Sequence, residues 1–168
     1  MKAMSSAFRF ATLAVFLSLF LYSCDELMDD NDNSPETTED RKEFIGQEGG
    51  EIELGSGIKL VIPTGALTAE EEISLSSLDP ATYFPNEEHA FVVRCLSESN
   101  KFSKDVEILM PFPAILLKQN EDHCEGGIFD EETGAFQVLE TDVINRDGVN
   151  YLRIKTNHFS EFGGRFFE

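Results

Sequence analysis

Tryptophan is absent from this chain of 168 residues, and cysteine and histidine occur three times each. Without tryptophan there is no indole platform to stack on sugar rings, so a glycan ranks below a protein as a ligand. Three cysteines are too few for a disulfide framework. His89, His123 and Cys124 sit at spacings that match no zinc pattern, so no metal is expected. Basic side chains are scarce: 13 Lys and Arg stand against 32 Asp and Glu, a formal charge of −19. That balance excludes binding to nucleic acid or to an anionic membrane surface by bulk electrostatics. There is no Gly-rich phosphate loop, no Gly-x-Ser-x-Gly elbow, and no carboxylate pair whose spacing marks a glycosidase site. No cofactor is expected, and the reading is of a protein that is not an enzyme.

One long apolar run exists, and it lies at the start. Residues Met1 to Ser23 have the three parts of an export signal. Lys2 and Arg9 are their only charges, and Ala11 to Tyr22 is apolar apart from Thr12 and Ser18. The run is shorter than the roughly 20 residues of a membrane span. It ends in Leu21-Tyr22-Ser23-Cys24, which resembles a lipobox: an aliphatic residue, two tolerated positions, and the cysteine that receives a diacylglyceryl group. The expectation is a signal peptide over 1–23 and a bacterial lipoprotein held to the membrane through acyl chains on Cys24. At about 0.8 kcal/mol per buried CH₂, several such chains make a stable anchor.

Asp25 to Glu43 holds nine acidic and two basic residues, with Leu27 and Met28 its only large apolar side chains. Such a segment does not bury enough surface to offset chain entropy, so 24–43 reads as a lipidated cysteine followed by a disordered acidic linker. Asp29-Asp30-Asn31-Asp32-Asn33 carries calcium-friendly oxygens but lacks the loop glycine and the closing glutamate of a calcium loop. The acidic residues directly after Cys24 resemble the signal that sends lipoproteins to the outside of the outer membrane in some Gram-negative groups, which is the favoured expectation; in other groups an aspartate in that place implies retention at the inner membrane. A periplasm-facing position is the alternative. In that oxidising compartment, a disulfide between Cys95 and Cys124 and two separate buried thiols are both open.

From Phe44 onward, apolar residues alternate with polar ones in short runs: Ile52 and Leu54; Ile58, Leu60 and Ile62; Ile73 and Leu75; Phe91, Val93 and Cys95; Val106, Ile108 and Met110; Tyr151, Leu152 and Ile154. Turn signals recur about every ten residues. Asp130 to Gly134 and Asp147-Gly148 each read as a hairpin turn. Thr68 to Glu72 is the only candidate for a helical turn, with Thr68 capping and Glu71 three residues on. His158 to Phe162 reads as a last strand. Many short strands without intervening helices predict one all-β domain over 44–168, an antiparallel β-sandwich.

Some of these residues are more specific than their class. Gly49-Gly50-Glu51-Ile52-Glu53-Leu54, then Ser56-Gly57-Ile58 and Ile62-Pro63-Thr64-Gly65-Ala66-Leu67, resemble the opening of the ZU-five domain, the β-sandwich of zonula occludens proteins, netrin receptors and ankyrins. Phe102, the strand from Val106 to Ile108 and Pro111, and then Thr156-Asn157-His158-Phe159-Ser160, are similar to later parts of that family's pattern in the same order. The resemblance covers about Gly49 to Phe162. It implies a sandwich whose business is contact with other proteins.

It also implies one reactive site. In some relatives the bond between Phe and Ser of such a motif breaks by itself. Here Ser160 would attack the carbonyl of Phe159, with His158 as base, and water would open the ester. The alternative is a closing strand in which Phe159 packs inward and His158 lies at the rim. The leading expectation is therefore a lipid-anchored, non-enzymatic structural or interaction module, with self-cleavage at Phe159–Ser160 as the second.

Overall fold

The computed structural model describes residues 36–112 and 124–167. The export signal, Cys24, the Asp29–Asn33 run and His123 lie outside the described residues. Eleven strands and one helical turn are described. In chain order they are β1 (Thr37–Ile45), β2 (Gly50–Glu53), β3 (Lys59–Ile62), β4 (Glu71–Leu78), α1 (Pro80–Tyr83), β5 (Ala90–Leu96), β6 (Lys101–Pro111), β7 (Cys124–Phe129), β8 (Phe136–Val138), β9 (Thr141–Arg146), β10 (Val149–His158) and β11 (Glu161–Phe166). They form two antiparallel sheets: six strands in the order β1-β4-β5-β11-β7-β8, and five in the order β2-β3-β6-β10-β9. The all-β sandwich is as the alternation predicts.

The core lies between the sheets, where the alternating apolar residues meet. Ile52, Ile58, Leu60, Ile73, Leu75, Val106, Ile108, Leu152, Ile154 and Phe162 are all fully buried there. Both hairpin turns form. Asp147 and Gly148 have φ of 54° and 85°, which is the double positive φ of a two-residue turn between right-twisted strands. Asp130 Oδ1 accepts from Thr133 N at 2.8 Å and from Thr133 Oγ1 at 2.7 Å, and Gly134 follows at φ 68°.

Two expectations are corrected. The disordered linker does not extend to Glu43, because Thr37–Ile45 is a strand paired along its length with β4. Its burial is slight and only Ile45 enters the core, so composition hides it. Polar contacts hold it instead. Asp40 Oδ1 accepts from Ser76 Oγ at 2.7 Å and Ser74 Oγ at 3.1 Å, and the Arg41 guanidinium donates to the Glu53 carbonyl at 2.9 Å. The folded domain therefore includes residues 37–43, ahead of the expected start at 44. Thr68 to Glu72 is not a helical turn either. Glu71 and Glu72 open β4, where Glu71 pairs with Ile45 and its carboxylate accepts from Ser99. The helical turn lies at α1, where Asp79 caps the Ala81 N–H at 3.0 Å and Pro80 takes the first position.

The five-stranded sheet is strongly twisted. Glu51 and Arg146 sit on its two edge strands, four spacings apart, about 19 Å across a flat sheet. Yet Arg146 Nη2 lies 2.7 Å from Glu51 Oε2, so diagonal corners of the sheet rise toward each other on its outer face. Below that contact, Lys59 pairs with Glu51 and Glu53 at 3.1 and 2.9 Å, and Arg153 pairs with Glu107 at 3.0 Å and with Asp142. Burial opposes ionisation of Glu51, but hydrogen bonds from Lys59 and Arg146 outweigh it and hold its carboxyl below the usual range.

Candidate functional site

The His158-Phe159-Ser160 segment is not a closing strand. It is the corner where the chain leaves the five-stranded sheet at the end of β10 and enters the six-stranded one at β11. The turn is prepared one step earlier. The register of β10 against β6 shifts between Thr156 and His158, a bulge that bends the strand. The buried Thr156 hydroxyl donates to the His158 carbonyl at 2.9 Å and accepts from the His158 N–H at 3.3 Å, filling the place of lost ladder bonds. Phe159 then drops into the core, 1 % exposed, edge-on to Phe102 with ring centroids 4.5 Å apart. The Ser160 carbonyl accepts from the Cys95 N–H at 3.0 Å, which ties the corner to β5.

Both side chains that self-cleavage would couple border the wider depression, but each is bonded elsewhere. His158 is exposed, and its Nδ1 lies 3.3 Å from Thr156 Oγ1 and 3.5 Å from Asn157 Oδ1. Ser160 is largely buried, and its hydroxyl donates to Oε1 of the exposed Glu131 at 3.4 Å. The hydrogen bond between nucleophile and base, the signature of an activated serine, is not made here. Thr156 carries the corner geometry, a role that its place in the family-like segment does not announce. Its place two residues before the histidine, at the end of an alternating strand, is the only local signal.

Cys95 and Cys124 do not meet. Cys95 lies beside Ser160 at one end of β11, and Cys124 pairs with Phe166 at the other. The offset is about 20 Å along the strand, where a disulfide needs Cα atoms within about 7 Å. Cys95 is wholly buried, and burial alone pushes its thiol well above the ordinary range.

Two depressions flank the corner, divided by the Asp130–Gly134 turn. The wider, of about 660 Å³, is bordered by Asn100, Lys101, Gln137, His158 and Phe159. The narrower, of about 300 Å³, is walled by Tyr83, Leu96 and Phe129, with Arg94, Glu131 and Glu161 around it. Phe129, Asp130, Glu131 and Ser160 border both. Arg94 donates to Glu161 Oε1 through Nε at 2.8 Å and Nη2 at 2.6 Å, while the Tyr83 hydroxyl donates to Glu161 Oε2 at 2.7 Å. Burial first, and then the Glu161 carboxylate, push the Tyr83 phenol well above its ordinary value, so it stays a neutral donor. Tyr83 and Glu161 are 78 residues apart, so no sequence spacing announces this triad. The adjoining floor is apolar: Leu78, Phe84, Val92 and Phe129 form a second small core on the outer face of the six-stranded sheet. A Cβ at Gly163 would lie 2.9 Å from the rings of both Phe84 and Phe129, so glycine there lets that aromatic group settle on the sheet.

Among the described residues no cluster of three or more His, Cys, Asp or Glu side chains is placed to hold a metal ion. Comparison with protein-family models and with curated proteins finds no match for this chain.

Proposed function

We propose that the protein is a lipid-anchored module of the bacterial cell envelope: a ZU-five-like sandwich, borne on a short acidic leash from Cys24, that contacts other proteins and catalyses no reaction. One observation carries this reading. The first described strand begins at Thr37, thirteen residues after the lipobox-like cysteine, so a β-sandwich lies close in the chain to the candidate anchor. Thirteen residues span at most about 45 Å when extended, which keeps the sandwich within reach of the membrane and its neighbours. The Ile-Pro-x-Gly-Ala motif supports the family likeness in physical terms. Ile62 is buried at the end of β3, Pro63 ends the ladder, Gly65 turns at φ 79°, and Ala66 and Leu67 return to the core. Outer-membrane placement and surface exposure belong to the same proposal.

The anchor has a direct test. Cys24→Ala is expected to move the protein from the membrane fraction to the soluble fraction and to remove acyl-chain labelling. Continued membrane attachment of that variant would refute the anchor.

Self-cleavage at Phe159–Ser160 is the competing reading, and the hydrogen bond of Ser160 to Glu131 rather than to His158 weighs against it. An intact-mass spectrum of the purified protein is expected to show residues through Glu168. Loss of the nine residues from Ser160 onward, abolished by Ser160→Ala, would establish the competitor instead.

A further inference from the structure

The narrower depression beside the corner has a definite chemistry. Its lining holds three carboxylates, Asp130, Glu131 and Glu161, and one guanidinium, Arg94. Arg94 is paired with Glu161 Oε1 through two of its nitrogens, and the second oxygen of Glu161 takes the Tyr83 hydroxyl. Asp130 and Glu131 make no ion pair with any basic residue among the described residues. Asp130 uses Oδ1 to cap its own turn, and Glu131 has the Ser160 hydroxyl, a long contact at 3.4 Å. The hydrogen bonds from Thr133 hold the Asp130 carboxyl below the usual carboxylate range, so it carries charge throughout the neutral region.

The walls are apolar. Leu96 stands at the lip, 52 % exposed, one of the few large apolar side chains the domain leaves open. The Tyr83 and Phe129 rings meet at a tilt, with centroids 4.7 Å apart, on the inner side. A volume of about 300 Å³ is at the small end of ligand sites, which suits one side chain rather than an extended ligand. An anion would meet two carboxylates without a basic partner. A wholly apolar group would strip water from them and return nothing. A group with an aliphatic stem and a cationic end satisfies both halves, since lysine and arginine bury their methylenes along apolar surface and keep the charge at a polar rim. Aromatic walls add attraction for the cation. The excess of 32 acidic over 13 basic residues also draws basic surfaces toward the protein.

We propose that this pocket receives a lysine or arginine side chain of a partner protein, with the stem against Leu96 and the aromatic wall and the cation at Asp130 and Glu131. The inference rests on the interaction-module reading above and names the partner's chemistry: a basic, exposed side chain.

The test uses the full chain in detergent, titrated with N-acetyl-arginine amide and with its neutral isostere N-acetyl-citrulline amide. Binding is read from the amide shifts of Arg94, Leu96, Glu131 and Ser160. Saturable shifts are expected with the arginine probe only. Glu131→Gln and Leu96→Ser should each weaken binding at least fivefold. Glu72→Gln removes the same charge from an exposed position on β4 and should leave binding within twofold. Non-saturating shifts, equal shifts from the citrulline probe, or an equal loss in Glu72→Gln would overturn the proposal, the last by reducing it to bulk electrostatics. Because none of these readouts depends on lipidation, failure here leaves the Cys24 experiment to judge the envelope reading separately.

Discussion

Gly49→Ala is expected to destabilise the domain by about 3 kcal/mol, which corresponds to a fall in Tm of roughly 10 °C for a domain of this size. Gly49 closes the turn between β1 and β2, with its N–H on the Gly46 carbonyl at 3.1 Å. Two costs coincide there. Its φ is 76°, in the left-handed region that an L side chain enters only under strain. A Cβ would also press on the Ile62 carbonyl oxygen and lie 2.8 Å from the carbonyl carbon of Pro63 and 2.9 Å from the Thr64 nitrogen. These are backbone atoms at the end of β3, so the clash cannot be relieved by a side-chain rotation. Gly134 separates the two costs, since its φ is 68° but nothing lies within 4 Å of a Cβ. Gly134→Ala is expected to cost about 1 kcal/mol, the conformational part alone. Thermal or urea unfolding of the two variants checks the pair. Equal losses would show that the close approach at Gly49 does not hold.

Phe159→Ala is expected to cost about 4 kcal/mol, the range for deleting a buried aromatic ring. The ring is 1 % exposed and sits against Phe102 at the point where the chain crosses between sheets. Removing it opens a cavity at the junction of β10 and β11, two central strands, so neighbouring strands collapse only partly into the space. Phe159→Leu retains most of the volume and should cost about 1 kcal/mol. Phe44→Ala is the matched control: Phe44 is 70 % exposed on β1, and its loss should fall within about 0.5 kcal/mol. A near-neutral Phe159→Ala would mean that Thr156 and the backbone bonds alone hold the corner, and the motif would need a reason other than packing.

Strand and turn positions were legible because their causes are local. Alternation of apolar and polar residues has the period of a strand, and Asp147-Gly148 supplies the positive φ that its hairpin needs, so neighbours a few positions apart carry the information. The helical turn at α1 also had a local signal, Asp79 followed by Pro80, which a search for apolar periodicity passes over. β1 had none. Its strand character comes from β4, where Asp40 meets Ser74 and Ser76 more than 30 residues on, and from the backbone of the β2 end held by Arg41. A segment rich in charge reads as a linker until those partners are in place.

The same division runs through the candidate sites. His158, Phe159 and Ser160 stand out in sequence because they match the family-like ending, and that resemblance is what implies a reacting pair. Only the fold showed that the chain turns between sheets at that point and engages His158 with Thr156 and Asn157, and Ser160 with Glu131. The Cys95 and Cys124 question was likewise open in sequence and closed by their positions at opposite ends of β11. The pocket of Tyr83, Arg94, Leu96, Glu131 and Glu161 draws on four separated stretches of chain and could not be read at all.

By itself, then, the sequence determined the fold class, most strands and the two glycine turns, because hydrophobic alternation and backbone preference act over a few residues. The tertiary structure decided where the domain begins, which polar side chains answer one another, and which carboxylates are left facing an open apolar pocket. Those outcomes depend on contacts between residues tens of positions apart, and such contacts exist only once two sheets have closed on a common core.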